Sequence, residues 1–297
     1  MRVAALLLTL LSVFAVSHAA ADASDATETS VCGRFKEPLV FWLWSRAAGS
    51  PDPQAARRVP NAEAVIHRTR DGHLLRGYKI KAAAADGVVR GAMLVAQGNA
   101  MLADQLLSSL SHFSTAGIDT WIFDYRGYGS STGRPRLKAI LEDYVELYER
   151  VFAHATGERL LYGISFGGIV QLNLMGTGAT FDRAVIDSTP SRGSPLGCPV
   201  KYDPVENLPR DSSRFLFVGG HRDTVVPLHD SRELFDRARK HGARIDVRKE
   251  FAHPFMDTDF GIHQQRLGLI RTFLAGHADA APQGRPESGS NKLPSTP

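Results

Sequence analysis

The sequence predicts an α/β fold in which a mostly parallel, twisted sheet carries helices on both faces, with an antiparallel N-terminal hairpin and a minimal lid. From residue 62 onward, short apolar runs typical of strands alternate with amphipathic segments typical of helices, which is the pattern of such a sheet. Asp71-Gly72 separates two strand-like runs, residues 62–69 and 73–80, and Asp-Gly is a strong hairpin signal. Residues 189–212 are Pro- and Gly-rich and leave room for only a short lid.

The remaining elements follow in alternation. Residues 103–117 predict a helix closed by Gly117, and residues 137–157 predict a long helix whose apolar side chains recur at helical spacing. The other predicted strands are 91–99, 119–125, 159–165, 182–188, 214–223 and 243–251, and the other predicted helices are 166–178, 228–242 and 261–277. Parallel sheets of this kind carry their sites at the carboxyl ends of the strands.

The chain divides into four parts. Arg2, the 14-residue run from Val3 to Val16 and small residues at Ser17 and Ala19 predict a signal peptide at 1–19. A membrane anchor is the alternative, but such a run is shorter than the roughly 20 residues that span a bilayer. Residues 20–34 predict a flexible arm, 35–277 the folded domain and 278–297 a disordered tail. The protein is therefore expected to be secreted or periplasmic.

The charge and the motifs of the sequence argue against several classes of ligand. Loss of Arg2 with the signal peptide lowers the formal charge from +4 to +3, which is too small to indicate nucleic-acid binding. Zinc-like Cys/His spacing and a dinucleotide fingerprint are both missing from the sequence, so we expect no metal and no cofactor. Cys32 and Cys198 can pair in an oxidising compartment, but the sequence alone leaves the bridge open.

Ser165 lies between Gly163 and Gly167, where a predicted strand meets a predicted helix. A serine on such a sharp turn needs small residues two positions before and after it, and the turn exposes the hydroxyl at the head of the helix. The alternative is that the glycines serve packing only. If the serine is a nucleophile, it needs a base and an acid that orients the base.

Asp223 and His253 follow later predicted strands and supply the order Ser, Asp, His. Asp187 is the rival acid, and His221 and His229 are the rival bases. Amides that stabilise an oxyanion are expected from Phe166, the residue after the serine, and from Asn99 in the loop after the third strand.

These motifs resemble the α/β-hydrolase family over roughly residues 62–276. The segment 163–168, "GISFGG", resembles its nucleophile turn, "GHRDTVVPL" its acid loop, "FAH" its histidine loop, and "FDYRGYGSSTG" the branch with little or no cap that includes protein depalmitoylases and esterases. The family's oxyanion loop usually begins His-Gly, whereas this chain has Gln97-Gly98.

The prediction is a secreted serine hydrolase that cleaves carboxylic esters or thioesters of a small-molecule or lipid-like substrate. A peptidase or amidase with the same triad, and a non-catalytic binding protein, are the alternatives. The short lid favours an open site, with Met101, Leu102, Phe166 and Leu196 as candidate acyl contacts.

Residues 35–45 are rich in aromatic side chains and allow two interpretations. The segment could pack on the core as a strand, or contact a membrane or a partner through Phe41, Trp42 and Trp44. Nothing in the sequence predicts the oligomeric state.

Overall fold

The computed structural model describes residues 28–276; the predicted signal peptide at 1–19 and tail at 278–297 lie outside this part. In the described part, the strands are β1 (Ala62–Arg68), β2 (Leu74–Ile80), β3 (Gly91–Ala96), β4 (Ile118–Phe123), β5 (Glu158–Ile164), β6 (Arg183–Asp187), β7 (Phe215–Gly220) and β8 (Arg244–Arg248). The helices are α1 (Lys36–Ala47), α2 (Ala55–Arg58), α3 (Ala103–Leu110), α4 (Leu137–Phe152), α5 (Phe166–Gly176), α6 (Leu228–Lys240) and α7 (Phe260–Leu274).

All these strands join one sheet in the order β1-β2-β4-β3-β5-β6-β7-β8. Strand β2 pairs antiparallel with β1 and β4. The other six strands, in the sheet order β4-β3-β5-β6-β7-β8, run parallel to one another. The predicted fold class is therefore confirmed, including the hairpin, whose turn at Gly72 has a positive φ of 91°. The parallel strands bring the ends of β5, β7 and β8 to one edge of the sheet.

The central strands are buried on both faces, as expected of parallel strands covered by helices. Every residue of β3 and β7 is buried. Alternate side chains of β3 enter different cores: Leu94 packs on the side of α1, α4, α5 and α6, whereas Met93 and Val95 pack on the side of α3 and α7. Because successive side chains of a strand point to opposite faces of the sheet, one strand contributes to both cores.

The aromatic segment 35–45 forms α1, a helix, so the interpretation as a strand is wrong. Phe41 is only 3% exposed and packs edge-to-face on Trp44 and Phe166. Phe41 is therefore core, which excludes it from the predicted membrane contact. Trp42 is 51% exposed on the opposite side with Leu39, and a membrane contact of this face stays a prediction. Tertiary packing of one helix face overrides the strand preference of its aromatic residues.

The arm expected to be flexible, residues 20–34, is described from Glu28 onward, and this part lies against the domain. Glu28 is buried and pairs with Arg134. Cys32 forms a disulfide with Cys198, 166 residues later. The bridge joins the segment before α1 to the short lid.

The lid, residues 189–212, contains only short 3₁₀ turns. Asp203 is fully buried and holds this segment from within: its carboxylate accepts hydrogen bonds from the amides of Gly193 and Ser194, both at 2.8 Å, and pairs with Arg192 at 3.1 Å. A carboxylate that receives several such bonds fixes the backbone around it. No helix within residues 28–276 is long and apolar enough to cross a membrane.

Candidate functional site

Ser165 occupies the sharp turn between β5 and α5, with φ 54° and ψ −115°. A positive φ is strained for a residue with a Cβ, so the surrounding structure must hold it. The amide of Ser165 donates to the carbonyl of Asp187 at 2.8 Å, and its carbonyl accepts from the hydroxyl of Thr189 at 2.9 Å. Both partners lie at or just after the end of β6, the neighbouring strand.

The turn leaves no room for a side chain at the two flanking glycines. A Cβ on Gly163 would lie 2.6 Å from the Cα of Gly168, and one on Gly167 would lie 1.9 Å from the carbonyl oxygen of Ala96. Real Cβ atoms do not approach backbone this closely. Any larger residue would push α5 away from the strands and move Ser165 with it.

The structure brings Asp223 and His253 together. His253 Nδ1 lies 2.9 Å from Asp223 Oδ2, while the amides of Val225 and Val226 donate to Asp223 Oδ1 at 2.9 and 2.8 Å. Burial alone would raise the pKa of Asp223, but the hydrogen bonds from His253 and Val226 outweigh it and hold that pKa below its usual value. The carboxylate is therefore ionised at neutral pH and accepts a hydrogen bond from the Nδ1–H of His253, and in this tautomer Nε2 carries the lone pair.

Among the contacts of residues 28–276, the Ser165 hydroxyl makes no hydrogen bond with His253. Such bonds are often long or poorly aligned without substrate and tighten when substrate binds.

The rival residues have other roles or positions. Asp187 is fully buried and pairs with Arg266 at 2.7 Å, so its carboxylate is already engaged. His221 is exposed, and His229 is exposed and lies near Asp230. Asp223 is thus the acid that contacts a histidine at the strand ends.

Arg266 is a buried cation that the sequence analysis missed. It lies on α7, pairs with Asp187 and donates from Nη2 to the carbonyl of Ala252 at 2.5 Å, directly before His253. Its guanidinium lies over the ring of Phe251, with Cζ 4.4 Å from the ring centroid. Arg266 therefore anchors the histidine loop to β6. The sequence does contain a signal for this residue. Arg266 lies four residues before Ile270, and this spacing places a charged side chain on the apolar face of the helix.

The expected oxyanion donors are the amide of Phe166, the residue after the serine, and that of Asn99. Among residues 28–276, the amides of Asn99 and Phe166 donate to no protein acceptor, which leaves both available to a ligand. A Cβ on Gly98 would lie 3.6 Å from the Cβ of Ser165, so the loop that carries Asn99 runs directly beside the serine.

Tyr125 anchors this loop. Its hydroxyl donates to the carbonyl of Gln97 at 2.6 Å. Gln97, at the position where the resemblance predicts a histidine, is fully buried, and its side-chain amide has no hydrogen-bond partner within the described part of the chain. The main chain of the loop is thus held by Tyr125 rather than by the side chain at position 97.

Ser165 opens into a cleft of about 510 Å³. Its lining includes Asn99 and Phe166 and, from α6, His229 and Glu233. Pockets of about 300–1,000 Å³ suit small organic ligands. Within residues 28–276, no three His, Cys, Asp or Glu side chains are grouped to hold a metal ion.

Comparison with known proteins gives a consistent result. Residues 98–288 match the model of the alpha/beta hydrolase family. A curated relative, the polyketide transferase claH of Penicillium crustosum, is 31% identical over 123 residues, which span 39% of this chain and 40% of that protein. The chain thus spans about two fifths of that relative's length.

Solved structures share the fold. An esterase of Pyrococcus furiosus superposes with a TM-score of 0.57 at 17% identity, covering 76% of this chain and 96% of the esterase. An alpha-beta hydrolase of Vibrio vulnificus gives 0.60 at 15% identity, covering 80% and 94%. At these identities the likeness concerns the fold.

Replacing Arg266 by Met is expected to lower the free energy of unfolding by about 3–5 kcal/mol, because Asp187 would stay buried without a charged partner. Urea denaturation measures this change. Arg271→Met, an exposed position on the same helix, serves as the control and should have little effect. Equal stability of the two variants would contradict the anchoring role of Arg266.

Proposed function

Because the chain belongs to the alpha/beta hydrolase family, we propose that it is a serine hydrolase that cleaves carboxylic ester or thioester bonds. In this proposal Ser165 is the nucleophile, His253 the general base and Asp223 the residue that orients the histidine. The observation that carries it is the 2.9 Å contact between His253 Nδ1 and Asp223 Oδ2 at the same sheet edge as a serine in a strained turn.

In the proposed reaction, the Ser165 hydroxyl attacks the carbonyl carbon of the substrate and gives its proton to His253 Nε2. The imidazolium that forms is stabilised by the ionised Asp223. It then returns the proton to the departing alcohol or thiol, which leaves an acyl group on Ser165. Water, activated by the same histidine, releases the acid and restores the serine.

The negative charge on the carbonyl oxygen needs donors that are already in position. The amides of Phe166 and Asn99 are proposed for this role, since both are free of protein acceptors among the described residues. Main-chain donors held by a helix start and by the Tyr125–Gln97 hydrogen bond need little rearrangement when charge develops.

Ester or thioester substrates are preferred over amides in this proposal because the cleft is open and an esterase is among the similar structures. A peptidase or amidase would use the same three side chains. A binding protein without activity would have no use for a His253–Asp223 pair at the same sheet edge as Ser165.

The triad assignment predicts the effect of three substitutions. Ser165→Ala, His253→Gln and Asp223→Asn should each lower kcat/KM for p-nitrophenyl acetate by at least about 10³-fold, since the three groups act as a unit. Asp230→Asn, at the rim of the same cleft, is the matched control and should retain activity. A parallel assay on a peptide p-nitroanilide distinguishes the amidase alternative. Full activity of Ser165→Ala would refute the assignment.

The protein is further proposed to act outside the cytoplasm, as a secreted or periplasmic enzyme. The signal-like residues 1–19 and the Cys32–Cys198 disulfide support this. Mass spectrometry of the exported protein should find Ala20 as its first residue and no free thiol before reduction. An intact Met1 with two reactive thiols would contradict the proposal.

A further inference from the structure

A second cavity, of about 240 Å³, lies between α1 and the lid. We call it the α1 cavity. Helix α1 contributes Val40, Phe41 and Trp44, and the lid contributes Leu196 and Tyr202. Cys32 and Cys198, which form the disulfide, line it as well. Its walls are thus predominantly apolar.

The α1 cavity adjoins the cleft that contains Ser165. Trp44, Phe166, Ile169 and Leu196 line both spaces. Phe166 directly follows the serine, and its ring packs against Phe41 with centroids 5.7 Å apart. A group attached to the serine hydroxyl can therefore extend past these side chains into the α1 cavity.

The two charged residues that line the α1 cavity are already engaged. Glu37 accepts hydrogen bonds from the amides of Val31 and Cys32 at 2.6 and 2.5 Å and from Leu137 at 2.8 Å. Lys36 donates from Nζ to the carbonyl of Leu196 at 2.8 Å. An aliphatic group that enters the cavity would leave these hydrogen bonds in place and bury its surface against the apolar walls.

The walls of the cavity are fixed before any ligand arrives. The disulfide joins the start of α1 to the lid, and the Lys36–Leu196 hydrogen bond joins them a second time. Asp203 holds the lid backbone at Gly193 and Ser194. Such preorganisation improves affinity, because little ordering is needed on binding.

We propose that the α1 cavity receives the acyl chain of the substrate, so that the substrates are esters or thioesters of aliphatic acids of about six to eight carbons. This inference rests on the proposed function. The chain length follows from the cavity volume of about 240 Å³. One methylene occupies about the same volume as a water molecule, roughly 30 Å³. Each methylene that enters the cavity should raise kcat/KM by up to about fourfold.

The test is a series of p-nitrophenyl esters from acetate to dodecanoate. For the natural sequence we expect kcat/KM to rise by about 10- to 100-fold from acetate to octanoate and to fall for longer chains. Val40→Trp fills the cavity and should abolish this rise, while kcat/KM for the acetate ester changes by less than about threefold. Leu39→Trp, the exposed neighbour on α1, is the matched control and should keep the natural profile.

A second variant changes the profile in the opposite direction. Tyr202→Ala enlarges the cavity at its lid side and should move the optimum to longer chains by two or more carbons. A flat profile for the natural sequence, or a Val40→Trp variant that still prefers octanoate, would overturn the inference.

Binding of octanoate to the Ser165→Ala variant, measured by titration calorimetry, separates this inference from the proposed function. Binding that Val40→Trp abolishes in the same Ser165→Ala background would support the α1 cavity even if no ester is hydrolysed. Acetate hydrolysis without octanoate binding would support the hydrolase and refute the acyl cavity.

Discussion

The close approach of α5 to the sheet at Ser165 determines the geometry of the whole site. Gly163 and Gly167 leave no room for a side chain, so the turn passes within contact distance of the end of β3. This contact holds Ser165 at a positive φ, beside the loop that carries Asn99 and next to the end of β6. The serine and the amides of Phe166 and Asn99 share one location because the start of α5 and the end of β3 come into contact there.

The histidine side of the site depends on a different support. Arg266 connects Asp187 on β6 with the carbonyl of Ala252, so the loop that carries His253 is tied to the same strand that holds the Ser165 backbone. A buried cation is costly unless it is paired, and here it is paired with a fully buried carboxylate. Ser165 and His253 are thus positioned from a common strand, β6, although they are 88 positions apart in sequence.

The fold could be predicted because its signals are local: strand and helix periodicity, the Asp-Gly hairpin and the glycines around Ser165. Three features could not. The aromatic residues of α1 favour a strand by propensity, whereas in the structure they form a helix that packs Phe41 against Phe166, a contact between distant parts of the chain. The Arg266–Asp187 pair spans 79 positions. The α1 cavity exists only where α1 meets the lid, which no short segment encodes.

The whole proposal depends on Ser165 being an activated nucleophile. Labelling of the folded protein with a fluorophosphonate probe, mapped by mass spectrometry, tests this beside Ser165→Ala and Ser108→Ala, the latter an exposed serine on α3. We expect labelling at Ser165 that is lost in Ser165→Ala, kept in Ser108→Ala and much weaker in Asp223→Asn. No labelling of a folded protein with an accessible cleft, or labelling that persists in Ser165→Ala, would contradict it.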